Sequence, residues 1–351
     1  MSEKREQQCK QALNEVENYK QTVKALLAFS AFVVHDGDDL RIGAEFGFGR
    51  RMITSRENKV TPSNTTVTPD LIAQKSTEYG ITAEVKKSLP QDQTRWDKYV
   101  QQLLKYDDDL AGWWTADGKI PHADAILLLH HSRSRAFCRF LRKIEEDEPD
   151  KVGRNTSVVE FGSSDETASY YFFRVEHGSL HDQELVGQLD DGVQIPLDKV
   201  LQSFPNVRFY DSPPPMAFLL TELWMGIFPA MLEGAEYDEK YKATRFSASV
   251  RDVTDELQKA YGSETLYRDE QSVQFPRQKW IKEAFEKLVK FKLAIPPTDD
   301  SDEYQILFRT LRGDILIRFI ELTLSDRIAG EDSSTEEADQ LPLFDDDETE
   351  K

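Results

Sequence analysis

Thr68-Pro69-Asp70-Leu71-Ile72-Ala73-Gln74, a connection from Lys75 to Gly80, and Ile81-Thr82-Ala83-Glu84-Val85-Lys86-Lys87 form the stretch from which the rest of the chain is read. Two short apolar runs flanking a polar connection predict strand, turn, strand. A tight hairpin centred on Thr77 pairs residues whose numbers sum to 154, which sets Asp70 opposite Glu84. Side chains alternate along a strand, so Ile81, Ala83 and Val85 point into a core while Thr82, Glu84 and Lys86 share the outward face. Two carboxylates opposed across a strand pair, roughly 4.5–5.5 Å apart at Cβ, repel unless something neutralises them. A divalent cation does so. Hard oxygen ligands suit Mg²⁺ or Mn²⁺, which take one or two carboxylates and complete their shell with water and substrate phosphate. Lys86, on the same face, can offset phosphate charge.

Outward from this hairpin, residues 94–111 read as a helix, Ala123 to His130 (ADAILLLH) as a buried strand, and Arg133 to Glu146 as another helix. Residues 3–29 carry apolar positions at Leu13, Val16, Tyr19, Val23, Leu26 and Leu27, the spacing of an amphipathic helix. Val158 to Phe161 and Tyr170 to Val175 are β-rich. The fold class is therefore α/β. His130-His131 reads as a strand-end pair, Trp113 and Trp114 as core anchors. Gly43-x-x-x-Gly47-x-Gly49 lacks the Lys-Ser/Thr of a phosphate loop.

The order Pro69-Asp70, thirteen intervening residues, then Glu84-Val85-Lys86 resembles the signature of the PD-(D/E)xK nuclease superfamily. Sixteen residues beyond Lys86, Gln102-Leu103-Leu104-Lys105-Tyr106 is similar to the Gln-hydrophobic-x-x-Tyr helix of its RecB-like and λ-exonuclease-like branches. Four apart on a helix, Gln102 and Tyr106 share a face. The resemblance covers about residues 20–150. It implies a restriction-endonuclease-like mixed sheet flanked by helices, and Mg²⁺- or Mn²⁺-dependent hydrolysis of DNA phosphodiesters in repair, recombination or anti-phage defence. Asp70 and Glu84 would bind metal, Lys86 would assist catalysis, and Gln102 and Tyr106 would position substrate. The family's upstream glutamate corresponds to Glu45, in a glycine-rich setting that departs from the family's helix, with Glu15 and Glu17 as alternatives. The competing expectation is a non-catalytic DNA-binding or clamp-binding adaptor on a degenerate nuclease fold.

With 351 residues, two folded units are expected: a nuclease-like domain over 1–235, with residues 151–235 as its β-rich extension, and a second domain over 236–330. Cys9 and Cys138 lack metal-ligand spacing and predict free thiols. No apolar run reaches membrane-spanning length and the N-terminus is polar, so a cytoplasmic protein without a membrane partner is expected. A net charge of −20 excludes a nonspecific nucleic-acid coat, because that requires clustered Lys and Arg. The charge is uneven, however. Residues 331–351 hold ten acidic residues and one lysine, hence −9 of the −20, and predict a disordered tail.

In the second domain, Ser249 with Asp252 predicts a capped helix to about Tyr261, Pro276 opens a second at Arg277, Tyr304 to Phe308 is a strand, and a last helix runs from about Gly313 to Ile328. This order suggests a winged-helix module. Arg277, Lys279, Lys282 and Lys287 form its basic, DNA-facing candidate patch. In the acidic tail, Gln340-Leu341-Pro342-Leu343-Phe344 is the one apolar cluster. It resembles the Gln-Leu-x-Leu-Phe peptide that binds the bacterial sliding clamp, with Gln340, Leu341, Leu343 and Phe344 as contacts.

Overall fold

The computed structural model describes residues 3–34, 47–49, 53–55 and 65–331, without 88, 91, 107–109, 149–155, 165, 176–177, 205, 211, 262–274 and 299–301. Glu45 and the 340–344 peptide thus lie outside the described residues. The fold is α/β, and the chain divides into two units. One comprises residues 20–208 and 263–274. The other comprises 1–19, 209–262 and 275–351.

The first unit is built on a seven-stranded mixed sheet. Its spatial order is β1 (Gly47–Gly49), β4 (Leu71–Gln74), β5 (Tyr79–Lys86), β7 (His122–His130), β8 (Thr156–Ser164), β9 (Ser169–Val175) and β10 (Val193–Pro196). β5, β7 and β8 run parallel at the centre, and every other pairing is antiparallel. A parallel strand is covered on both faces, which is why β7 reads as an unbroken apolar run rather than an alternation. A small sheet of β2 (Ile53–Ser55), β3 (Thr65–Val67) and β6 (Leu110–Ala111) lies apart from it. The β-rich segment after residue 150 adds β8, β9 and β10 to the main sheet.

Helices cover the sheet. On the face that carries Ile72, Leu127 and Leu129, α2 (Asp97–Leu104) inserts Val100, Leu103 and Leu104, and α3 (His131–Asp147) inserts Phe137, Cys138 and Leu141 into one apolar cluster. Phe29 of α1 (Glu3–Val34) meets Phe172 of β9 edge-on, with ring centroids 5.4 Å apart. α4 (Gln183–Asp191) starts at Asp182, whose carboxylate accepts the backbone N–H groups of Glu184 and Leu185 and so satisfies two otherwise orphaned donors. α5 (Leu197–Ser203) follows β10.

The second unit holds a four-stranded antiparallel sheet in the order β11 (Glu236–Asp238), β12 (Ala243–Ser249), β14 (Glu303–Phe308), β13 (Ala294–Ile295). Between β12 and β13 the chain forms α7 (Val250–Tyr261) and α8 (Gln278–Lys290). Ser249 Oγ accepts the N–H of Asp252 and donates to its carboxylate, the cap expected from the sequence. α6 (Met216–Glu222) and α9 (Ile315–Glu331) complete this unit. In its core, Trp224, just after α6, packs against Phe319 of α9 and Phe308 of β14. The break at residues 208–209 precedes the expected boundary between 235 and 236, because the apolar helix α6 finds its partners in the C-terminal part. Residues 1–19 belong to this unit too, where Tyr19 packs against Tyr210 and Phe218.

Candidate active site

The register of β4 against β5 pairs Leu71 with Ala83 and Ile72 with Thr82. One step further, Asp70 stands opposite Glu84, the pairing expected from the hairpin count. Asp70 Oδ2 accepts the backbone N–H of Val85 at 2.9 Å, which fixes that carboxylate against the strand. Lys86 Nζ donates to Glu84 Oε2 at 3.2 Å. Tyr106 donates its phenolic proton to Glu84 Oε1, and Gln102 Nε2 donates to Tyr106 Oη at 3.4 Å. Asp70, Glu84, Lys86, Gln102 and Tyr106 are thus brought together.

One expectation is corrected. The face bearing Thr82, Glu84 and Lys86 does not point outward: Glu84 is 3% exposed, Asp70 7%, and Thr82 fully buried. β5 is a central strand, and α2 with Tyr106 closes over this face. The helix there is also shorter than the expected 94–111. Beneath the site Trp113 packs so closely that a Cβ on Gly80 would lie 2.3 Å from its ring, so glycine is required at that point of β5. Lys86, at the end of the strand, remains half-buried.

Burial dominates the electrostatics. It pushes the Glu84 carboxyl up to about 8, the Asp70 carboxylate pushes in the same direction, and Lys86 and the Tyr106 hydroxyl oppose them. The Tyr106 phenol is itself raised by burial and by Glu84. Beside the pair opens a cleft of about 510 Å³ lined by Val67, Thr68, Lys86, Lys98, Tyr99, Gln102, Lys105 and Tyr106.

The donor set fits a hard cation. A carboxylate offers about four lone-pair directions, so Glu84 retains acceptor capacity beside Tyr106 and Lys86. Asp70 and Glu84 together are the one or two carboxylates that Mg²⁺ takes before water and substrate fill its shell. Among the described residues no group of three or more Asp, Glu, His or Cys side chains is placed to hold a metal ion. Glu15 and Glu17 fall in the other unit.

Sequence reasoning missed Lys98, Tyr99 and Lys105 in the cleft wall, although Lys98, Gln102 and Lys105 at i, i+4 and i+7 share one helix face and could have been read together. It also missed a second polar network in this unit. Asp124, fully buried on β7, accepts from Tyr79 Oη at 2.7 Å, from the His181 backbone N–H at 2.9 Å and from His181 Nδ1 at 2.8 Å. His122 stacks on His181, with ring centroids 4.6 Å apart. Three donors on one carboxylate tie the segment before α4 to the start of β7. His130 and His131 lie against each other at the opposite end of β7, 4.2 Å between centroids and tilted by 37°.

In the second unit, α8 presents the expected basic residues with differing availability. Lys287 pairs with Asp326 of α9, so that cation holds two helices together instead of facing a ligand. Arg277 lies over the rings of Phe275 and Trp280 at 5.6 and 5.8 Å. Lys279 is 3.9 Å from Glu283, and Lys282 is exposed. Comparison of the chain with family models, with curated proteins and with solved structures finds no match.

Proposed function

We propose that the chain is a Mg²⁺- or Mn²⁺-dependent deoxyribonuclease whose site is the Asp70–Glu84–Lys86 cluster. The observation that carries this reading is the convergence of five residues: two opposed carboxylates, a lysine on one of them, and a Gln/Tyr pair behind, with Lys86, Gln102 and Tyr106 lining the adjoining cleft. The mixed sheet with a parallel centre and helices on its faces is the setting that the PD-(D/E)xK resemblance implies. A cation held by Asp70 and Glu84 would supply Lewis-acid stabilisation to the phosphate undergoing attack.

The chain's own groups divide the remaining work. Val85 N–H fixes Asp70, and Tyr106 and Lys86 hold the two oxygens of Glu84, so the carboxylates meet their ligand already oriented. Lys86 Nζ, half-buried at the mouth of the cleft, is placed to orient water or to hold a phosphate oxygen as negative charge grows. Hydrolysis forms one P–O bond from water and breaks one to the departing sugar oxygen, which takes up a proton. Gln102, bonded to Tyr106, faces the same cleft and positions substrate.

The second unit supports contact with DNA outside the site. Its strand order β12-β14-β13, with α7 and α8 inserted, suits a winged helix, and Lys279 and Lys282 are the α8 cations that such a helix would present. The test is cleavage of linear and circular, single- and double-stranded DNA with Mg²⁺ or Mn²⁺, comparing wild type with Asp70→Ala and Lys86→Ala. Metal-dependent cutting that falls by about 10²–10⁴-fold in both variants is expected. Cutting that persists unchanged in either variant would remove the site, and a wild type inactive on every DNA would leave the adaptor reading.

A further inference from the structure

α2 offers the cleft more than Gln102. Lys98, Gln102 and Lys105 follow at i, i+4 and i+7, a stripe of donors about 10.5 Å long on and just past one helix. All three line the cleft that also receives Lys86. Lys98 and Lys105 are exposed, and among the described residues neither ammonium makes an ion pair or a side-chain hydrogen bond. Lys98 Nζ lies 4.8 Å over the ring of Tyr99, another wall of the same cleft. Three lysines on one wall stand out in a chain of net charge −20. A solvated lysine alone means little. Three around a single concavity raise the local concentration of polyanion.

The cleft, about 510 Å³, is of the scale of a small-ligand site. Its apolar and aromatic wall, Val67 and Tyr99, is a surface on which a base or sugar can rest, and a positive groove with an aromatic wall is how single strands are gripped without sequence preference.

Resting on the nuclease reading of the same cleft, we propose that α2 guides a single nucleic-acid strand into the site, with Lys98 and Lys105 holding phosphates that flank the one cut. They are positioning residues. The substrate is then a single-stranded segment or a frayed end rather than an intact duplex.

The experiment measures fluorescence anisotropy of labelled single- and double-stranded 20-mers with full-length protein in EDTA, across salt, for wild type, Lys98→Glu, Lys105→Glu and the double variant. Arg135→Glu on α3 serves as a control of equal charge change. Single strands should bind more tightly than duplex. Each reversal in the cleft should weaken single-strand binding about 5-fold or more, and reduce the salt slope by about 0.7 per lost contact. Arg135→Glu should do neither. In cleavage assays with Mg²⁺, Lys98→Glu and Lys105→Glu should raise KM with kcat nearly kept. Reversals that leave affinity and slope at the wild-type value would overturn the proposal, the lysines then merely balancing the neighbouring Asp107-Asp108-Asp109. Tighter binding of duplex would also overturn it. The two readings fail separately. A chain that cuts nothing yet binds single strands through Lys98 and Lys105 loses the nuclease reading alone. One that cuts through Asp70 and Lys86 but ignores Lys98 and Lys105 loses the guiding strand alone.

Discussion

Glu84 is asked to be two things at once, a buried side chain and a charged one. Its carboxyl is pushed up to about 8 from an ordinary 4.5, chiefly by burial and then by Asp70. The folded chain therefore holds this proton more tightly than the unfolded chain does. Without divalent cation, the stability tied to Glu84 is present below about pH 4.5, falls as pH rises through that window, and is lost above about 8. Glu84→Gln should flatten this alkaline decline of Tm in EDTA while abolishing metal-dependent cleavage. Parallel Tm-against-pH curves for the two proteins would contradict the burial argument. A cation that favours the ionised pair should raise the wild-type Tm more at pH 8 than at pH 6 and leave Glu84→Gln unmoved. Tyr106→Phe tests the neighbour. With its hydroxyl gone, Glu84 Oε1 loses a donor in a buried place, at a cost of about 1–3 kcal/mol. The expected outcome is a lower Tm together with a fall in kcat of about 10-fold or more, read by thermal melts and initial rates.

Elements succeed or fail by what covers them. Gly80→Ala drives a methyl into Trp113 under the site, and overpacking of that kind costs about 1–3 kcal/mol. Asp124→Ala should cost more, about 2–5 kcal/mol, since it leaves the Tyr79 hydroxyl and two His181 N–H groups without their acceptor. Denaturant melts should rank the two in that order, and a neutral Asp124→Ala would mean that water replaces the carboxylate. The same consideration separates what could be read in the sequence from what could not. The pairing of Asp70 with Glu84 was legible because a two-residue period and the hairpin length leave a single register. The cap at Ser249 and Asp252 was legible because a cap is local. The burial of Glu84 was not, because it depends on α2 and Tyr106 crossing over a strand some twenty residues back. Nor was the early end of α2. Asp107 to Asp109 would set three carboxylates at the negative end of the helix dipole, a signal that the apolar spacing overrode. The unit boundary was hidden for a related reason: the core partners of α6 lie some ninety residues downstream of it.

For the molecule as a whole, charge is unevenly distributed along the sequence. Removing residues 332–351 takes away nine acidic residues and one lysine. The shortened chain should keep its Tm and its cleavage, bind nucleic acid somewhat more tightly at low salt, and lose affinity for a bacterial sliding clamp, all measurable on one preparation. Clamp affinity that survives the truncation would place the contact elsewhere. α1 has a further consequence. Its first residues, with Tyr19 among them, complete a core whose other members, Tyr210 and Phe218, come some two hundred residues later, and whose last helix closes at Glu331. On the ribosome, at about 5–20 residues per second, Tyr19 waits on the order of ten seconds or more after its own synthesis before Tyr210 and Phe218 are made. The chain's opening turns thus stay unsheltered through most of synthesis, within reach of a chaperone or a protease that meets the nascent protein.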